Sequence, residues 1–189
     1  VDRRPANAAA TARLEKDYGV KTTYYFRCCN GRFDTNIIEH VKRAGHEIGY
    51  HYEDLCEAGG DMDRAIELFE QHLQQLRKVA DVRTVAMHGR PMSPWNNKRL
   101  WREYDFKTLG IEADAFFTID YSDTYYFTDT GRSWSSQSAN IRDKVENALT
   151  AELSSTDELI EFLRDNPERK FALVMHPERW AVGKFDYMG

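Results

Sequence analysis

The chain has 189 residues, of which 41% are hydrophobic and 30% charged, and its formal net charge at pH 7 is −5. These values are typical of one globular domain with a sizeable core, and they argue against disorder and against a nucleic-acid partner, which favours a basic face. No apolar run is long enough to span a bilayer, and no signal peptide is visible. The three cysteines lack CxxC spacing, which favours reduced thiols. We therefore expect a single domain over residues 1–189, located in the cytoplasm and without a membrane partner; the oligomeric state is left open.

Helical and extended patterns alternate along the first half of the chain. Residues 22–26 are rich in β-branched and aromatic side chains, as in a buried strand. Gly45 is placed to end a helix in the left-handed conformation. Apolar residues recur at three- and four-residue steps from Ile66 to Leu76, as in an amphipathic helix. The predicted elements are a helix over 6–18, a strand over 22–26, a helix from Asp34 or Thr35 to about Ala44, a short strand that ends at His51, a helix over 62–79 and a strand over 84–87.

The second half of the chain continues this alternation and adds three strands. Its predicted elements are a polar loop with one helical turn over 92–104, strands over 115–120 and 125–129, a helix over 141–149, a helix from a cap at Ser155 or Thr156 to about Asp165, and a strand over 171–175. Strands that alternate with helices predict a parallel sheet with right-handed crossovers. The sequence therefore predicts an α/β fold.

Residues with metal-binding or catalytic chemistry stand where the predicted strands end. His51, His88 and His176 each come at the end of a different strand, and Asp129 ends another. Folds with parallel strands bind their ligands at the carboxyl ends of those strands. We therefore expect a metal or catalytic site on that face of the sheet. The other three histidines are interpreted as solvated or structural: His40, His46 and His72.

The segment around His51 carries the strongest signal for a metal. His51 is followed by Glu53 and Asp54, so that one imidazole and two carboxylates lie within four residues. Neutral imidazole and carboxylate form a natural mixed ligand set for zinc and other divalent transition metals. A histidine at a strand end more often packs or forms a hydrogen bond than binds a metal, and that alternative stays open at this point.

Several segments resemble, in the right order, the motifs of the polysaccharide deacetylases, the NodB-homology group also called carbohydrate esterase family 4. The second motif is the most specific and is matched by residues 45–51, GHEIGYH. The other matches are VDRRP at 1–5, similar to the end of the first motif in a divergent branch, GRP at 89–91 for the third, DTGRSW at 129–134 for the fourth and LVMH at 173–176 for the fifth.

This resemblance implies a distorted (β/α) barrel of about seven strands. It also implies a hydrolase that uses a divalent metal, with Zn²⁺ expected, to remove an acetyl group from an N-acetylated sugar or polysaccharide. A carbohydrate substrate is thus the expected partner. Carried over by position, the motifs make Asp2 and His51 metal ligands and His176 the general acid, while Arg90 and Asp129 would orient the base.

The chain departs from the family at one ligand position. The family's second metal-binding histidine lies four residues after the first, where this chain has Leu55. Leucine cannot bind a metal, so Glu53, Asp54 or His88 would have to replace that ligand. We favour His88, because it stands at an equivalent strand end and restores a set of two histidines and one carboxylate. Glu53 is the second choice, and loss of the metal altogether is a further alternative.

Tryptophans supply the candidate sugar-binding surfaces. Trp95, Trp134 and Trp180 are candidates for stacking on a sugar ring, and Trp180 follows closely after His176. Aromatic rings are equally suited to a core, so core packing is an equal alternative for each of them.

Two alternatives to a metal-dependent deacetylase stay open. One is a metal-independent hydrolase on the same barrel, and the other is a non-catalytic relative that binds a glycan. Only six strands are predicted after Val1, and the resemblance puts the catalytic base upstream of that residue. We therefore expect the sequence to be an N-terminally truncated piece whose upstream residues supply a first strand and the base. Asp120 is the alternative base.

Overall fold

The computed structural model describes residues 1, 4–28, 31–90, 92–130, 134 and 145–180. It is a mixed α/β structure with parallel strands. The chain divides into two compact units, one formed by Val1–Phe116 and Pro177–Gly189 and the other by Phe117–His176. The single domain over 1–189 stays a prediction, and the two units are described in turn.

The first unit is built on a four-stranded parallel sheet. Neighbouring strands pair in chain order, with Phe26 opposite Tyr50 and His51 opposite Ala86. The strands are β1 (Thr23–Phe26), β2 (Glu47–Tyr52), β3 (Thr84–Met87) and β4 (Ala113–Asp114). Because all four run in one direction, the residues that follow β1, β2 and β3 are brought to one edge of the sheet.

Short-range capping signals set the ends of the helices in this unit. The carboxylate of Asp34 accepts a hydrogen bond from the amide of Ile37, and Gly45 ends the same helix with a φ of 95°. Asp61 caps the longest helix by accepting from the amide of Arg64. The helices are α1 (Pro5–Asp17), α2 (Thr35–Ala44), α3 (Asp54–Glu57) and α4 (Met62–Arg77), with 3-10 turns at Asn97–Arg102, Phe106–Leu109 and Pro177–Arg179.

Aromatic side chains fill the core between β2 and α4. Phe69 of α4 packs against Tyr50, Tyr52 and Trp101, with ring centroids 4.9–5.7 Å apart. A side chain at position 49 would overlap with the ring of Tyr25 on the adjacent strand, so Gly49 allows that close approach. These contacts fix β2, the strand that carries His51.

The second unit holds a two-stranded parallel sheet and one helix. β5 (Thr124–Thr128) pairs with β6 (Lys170–Val174), and α5 (Thr156–Asp165) lies between them in the chain. Ser155 caps α5 by accepting a hydrogen bond from the amide of Glu158. Phe162 of α5 packs against aromatic side chains of both strands.

Two predicted elements are wrong. The strand predicted over 115–120 is instead the short strand Ala113–Asp114, after which the chain turns. The turn is stabilised by the buried carboxylate of Asp114, which accepts a hydrogen bond from the backbone amide of Phe116. Residues 145–149 are not helical, and Leu149 instead bridges to Tyr125. Residues 141–144, the rest of that predicted helix, lie outside the described residues.

The strand count bears on the fold class. The part of the chain that the structure describes contains six strands in two parallel sheets, and neither sheet closes on itself. The α/β class with parallel strands is therefore confirmed, and the seven-stranded barrel stays a prediction. No helix among these residues is long and apolar enough to cross a membrane.

Candidate functional site

The carboxyl ends of three neighbouring strands in the first unit carry four polar side chains. Arg27 follows β1 directly, His51 and Glu53 stand at the end of β2, and His88 follows β3. The parallel register places His51 opposite Ala86, two residues before His88. The predicted site residues His51, His88 and Glu53 are thus brought together by the sheet itself.

The His51 imidazole is held by the backbone of the adjacent strand. Its Nδ1 lies 2.9 Å from the carbonyl oxygen of Ala86. A carbonyl only accepts hydrogen bonds, so Nδ1 must carry the proton and donate. In the neutral imidazole the lone pair then lies on Nε2, the ring atom that could bind a metal.

The His88 imidazole is held in the same way by a side chain. Its Nδ1 lies 2.9 Å from Oε2 of Glu53. An ionised carboxylate can only accept hydrogen bonds, so Nδ1 of His88 is the donor. The two imidazole rings meet edge to face, with centroids 5.1 Å apart. The buried side-chain amide of Asn97 donates to the carbonyl oxygen of His88 and fixes the backbone there.

Glu53 is a buried carboxylate with two partners. It is 4% exposed, and Arg27 donates to its Oε1 from Nε at 3.2 Å and from a terminal nitrogen at 2.5 Å. Burial alone would raise the pKa of Glu53, but the hydrogen bonds from His88 and Arg27 outweigh it and lower the pKa to about 2. Glu53 is therefore ionised at neutral pH.

A second group of ligand-type side chains lies between α3 and α4. Asp54, Glu57 and His72 each offer one ligand atom, and these atoms lie within 4.8 Å of one another, so this group could hold a metal ion. Nδ1 of His72 lies 2.7 Å from Oδ1 of Asp54, and the Tyr50 hydroxyl reaches both carboxylate oxygens at 2.8 Å. The same atoms thus already form a hydrogen-bonded cluster.

His72 and Asp54 form a buried pair within this cluster. Burial would lower the pKa of His72, but its interactions with Asp54 and with Cys28 raise that pKa to about 10. At neutral pH His72 is then an imidazolium paired with the Asp54 carboxylate. A metal bound by His72 and Asp54 would have to displace a proton from this pair.

In the second unit, Asp129 and His176 form a carboxylate–imidazole pair. Nδ1 of His176 lies 2.6 Å from Oδ1 of Asp129, and the backbone amide of His176 donates to Oδ2 at 2.9 Å. These contacts join the ends of β5 and β6. Asp129 therefore contacts the predicted acid itself, and the base orientation predicted for it stays untested.

The other predicted site residues are Arg90, Asp2 and the three tryptophans, and they differ in exposure and contacts. Arg90 is exposed, and Asp2 lies outside the described residues. Trp134 is 4% exposed and donates from Nε1 to the Thr156 hydroxyl, which favours the core-packing alternative for this ring. Trp95 covers Gly60, and Trp180 is partly buried.

Two features of the site were not predicted from the sequence. Arg27 was missed because arginine is not a metal ligand, although it follows a predicted strand just as His88 does. The pairing of Asp54 with His72 was missed because the two residues are 18 positions apart. His72 itself was interpreted as solvated or structural; it is buried beside Asp54, so it is not solvated, and its structural role stays a prediction.

Comparison with known proteins adds no further assignment: no protein-family model matches the chain, and no curated protein is significantly similar to it. The deacetylase resemblance therefore stays a hypothesis that depends on the motifs and on the geometry described above.

The His72–Asp54 pair predicts a stability that falls at alkaline pH. Because folding raises the pKa of His72 from 6.5 to about 10, the pair's contribution is complete below about pH 6.5 and is lost as the pH rises through about 10. Urea unfolding of the wild-type protein and of His72→Gln should show the wild-type advantage shrinking by a few kcal/mol over that range. An advantage that stays constant would contradict the ion pair.

Proposed function

We propose that this protein is a metal-dependent hydrolase that removes an acetyl group from an N-acetylated sugar or a related small amide. The observation that supports the proposal most is the arrangement of His51 and His88. Both imidazoles end adjacent parallel strands, and each is held through Nδ1 by an acceptor. Metal-binding histidines are held in this way, with the other ring nitrogen bound to a carbonyl or carboxylate.

Two imidazoles at adjacent strand ends support a divalent metal of the zinc type as the proposed cofactor. In this proposal His51 and His88 bind it through Nε2, and Asp2 supplies the carboxylate that completes a two-histidine, one-carboxylate set. The backbone nitrogen of Val1 donates to the carbonyl of Tyr25 on β1, the strand that also leads to Arg27. Glu53 then supports His88 and is not itself a ligand.

The chemistry of the proposed reaction sets the role of each group. When bound, a divalent metal lowers the pKa of water towards about 7 and polarises a carbonyl oxygen. Amide hydrolysis also needs a proton for the departing amine, and an imidazole has the right reference pKa, about 6.5. In this proposal His176 supplies that proton from Nε2, and Asp129 stabilises the imidazolium and fixes its orientation. The seven-stranded barrel of the resembled family is part of the same proposal.

Metal titration tests the proposed ligands. Wild-type protein should bind about one equivalent of Zn²⁺ in calorimetry, and His51→Ala and His88→Ala should each lose tight binding. His72→Gln is the matched control, because it removes an imidazole from the second candidate group while leaving both proposed ligands in place. Loss of Zn²⁺ binding in His72→Gln, with retention in His51→Ala, would place the metal in the second group and contradict the proposal.

Acetate release tests the proposed reaction. With a panel of N-acetylated sugars, His176→Ala should lower turnover by about 10²–10⁴-fold, the usual effect of losing a general acid, while Zn²⁺ binding is unchanged. Asp129→Asn should lower turnover less and shift the alkaline limb of the pH–rate profile. The assay uses the protein with any native residues that precede Val1. If that protein binds Zn²⁺ but releases no acetate from any N-acetylated sugar, the deacetylase is rejected and a metal-binding glycan receptor is favoured.

A further inference from the structure

We propose that the ionised carboxylate of Glu53, held in place by Arg27, selects the tautomer of His88. Glu53 is then a positioning residue that prepares Nε2 of His88 for a metal. The tautomer of His88 can be measured in the metal-free chain and does not depend on the proposed function. Only its consequence for metal affinity rests on the function proposed above.

The geometry divides the Glu53 carboxylate between two partners. Both Arg27 contacts fall on Oε1, and the His88 contact falls on Oε2. The Glu53 side chain is 5% exposed, so water competes little for either oxygen. The three side chains follow β1, β2 and β3, so the chain of contacts crosses three neighbouring strands.

Donor and acceptor chemistry then determines the His88 tautomer. The guanidinium of Arg27 can only donate, and an ionised carboxylate can only accept. Nδ1 of His88 must therefore donate to Oε2, and in the neutral ring the lone pair lies on Nε2. An imidazole without this partner is free to exchange between its two tautomers.

The Glu53→Gln variant should reverse the tautomer. The glutamine carbonyl oxygen must face Arg27, because the guanidinium offers only donors. The amide nitrogen then takes the place of Oε2 and donates to Nδ1 of His88. His88 is forced to accept at Nδ1 and to carry its proton on Nε2, which is the wrong tautomer for binding a metal through Nε2.

Removing Arg27 as well should restore the original tautomer. The double variant Arg27→Met with Glu53→Gln lacks the guanidinium that holds the glutamine oxygen on the β1 side. The amide can rotate and accept the proton of Nδ1 again. The single variant Arg27→Met is the matched control, because its carboxylate still accepts from His88 and its tautomer should stay as in the wild-type protein.

Long-range ¹⁵N–¹H NMR of the imidazoles reads the tautomer directly in the metal-free chain. Spectra are recorded at a pH above the titration of His88, and His88→Gln identifies its signals. We expect a protonated Nδ1 in wild type, in Arg27→Met and in the double variant, and a protonated Nε2 in Glu53→Gln. A general loss of packing would not reverse a tautomer in one variant and restore it in the double variant.

Zn²⁺ affinity measures the consequence of the tautomer. Glu53→Gln should bind Zn²⁺ about 10–100-fold more weakly than wild type, and the double variant should recover part of that loss. A protonated Nδ1 in Glu53→Gln, or no reversal in the double variant, would overturn the inference. If the tautomers behave as expected but wild type binds no Zn²⁺, the proposed function fails and the role of Glu53 in selecting the tautomer stands.

Discussion

The candidate site depends on one buried carboxylate. Glu53 lies almost out of contact with water, and an unpaired charge in such a place would be strongly destabilising. Arg27 and His88 provide the compensating hydrogen bonds, and each comes from a different neighbouring strand. The parallel register of β1, β2 and β3 is therefore what makes the ionised carboxylate tolerable. In turn, the carboxylate holds the imidazole that we propose as a metal ligand.

Glu53 and Asp54 show how adjacent residues serve different purposes. Glu53 is the N-cap residue of α3 and contacts side chains at the ends of β1 and β3. Asp54 begins α3 and pairs with His72 of α4 inside the core. Both are buried acids that contact a histidine. The histidine that contacts Glu53 is His88, whose ring lies against the ring of His51. Sequence proximity to His51 therefore does not distinguish a site residue from a structural one.

The sequence predicted best what depends on neighbouring residues. Asp34 and Gly45 bound α2 as expected, and β3 has its predicted bounds, because capping and strand signals act over a few positions. The grouping of His51 with His88 was also predictable, since parallel strands bring their carboxyl ends together. The turn after Asp114 and the Arg27–Glu53–His88 contacts were not predicted. Both depend on tertiary contacts that no local sequence pattern encodes. An example is the pair of hydrogen bonds that the buried carboxylate of Asp114 accepts from Tyr52 and Trp101.

The central claim is that His51 and His88 form a metal site while Asp54 and His72 form an ion pair. Anomalous diffraction from crystals grown with Zn²⁺ tests it most directly. We expect one strong peak about 2.0–2.1 Å from Nε2 of both His51 and His88, the usual zinc–imidazole distance. A peak among Asp54, Glu57 and His72, with none beside His51 and His88, would contradict the account.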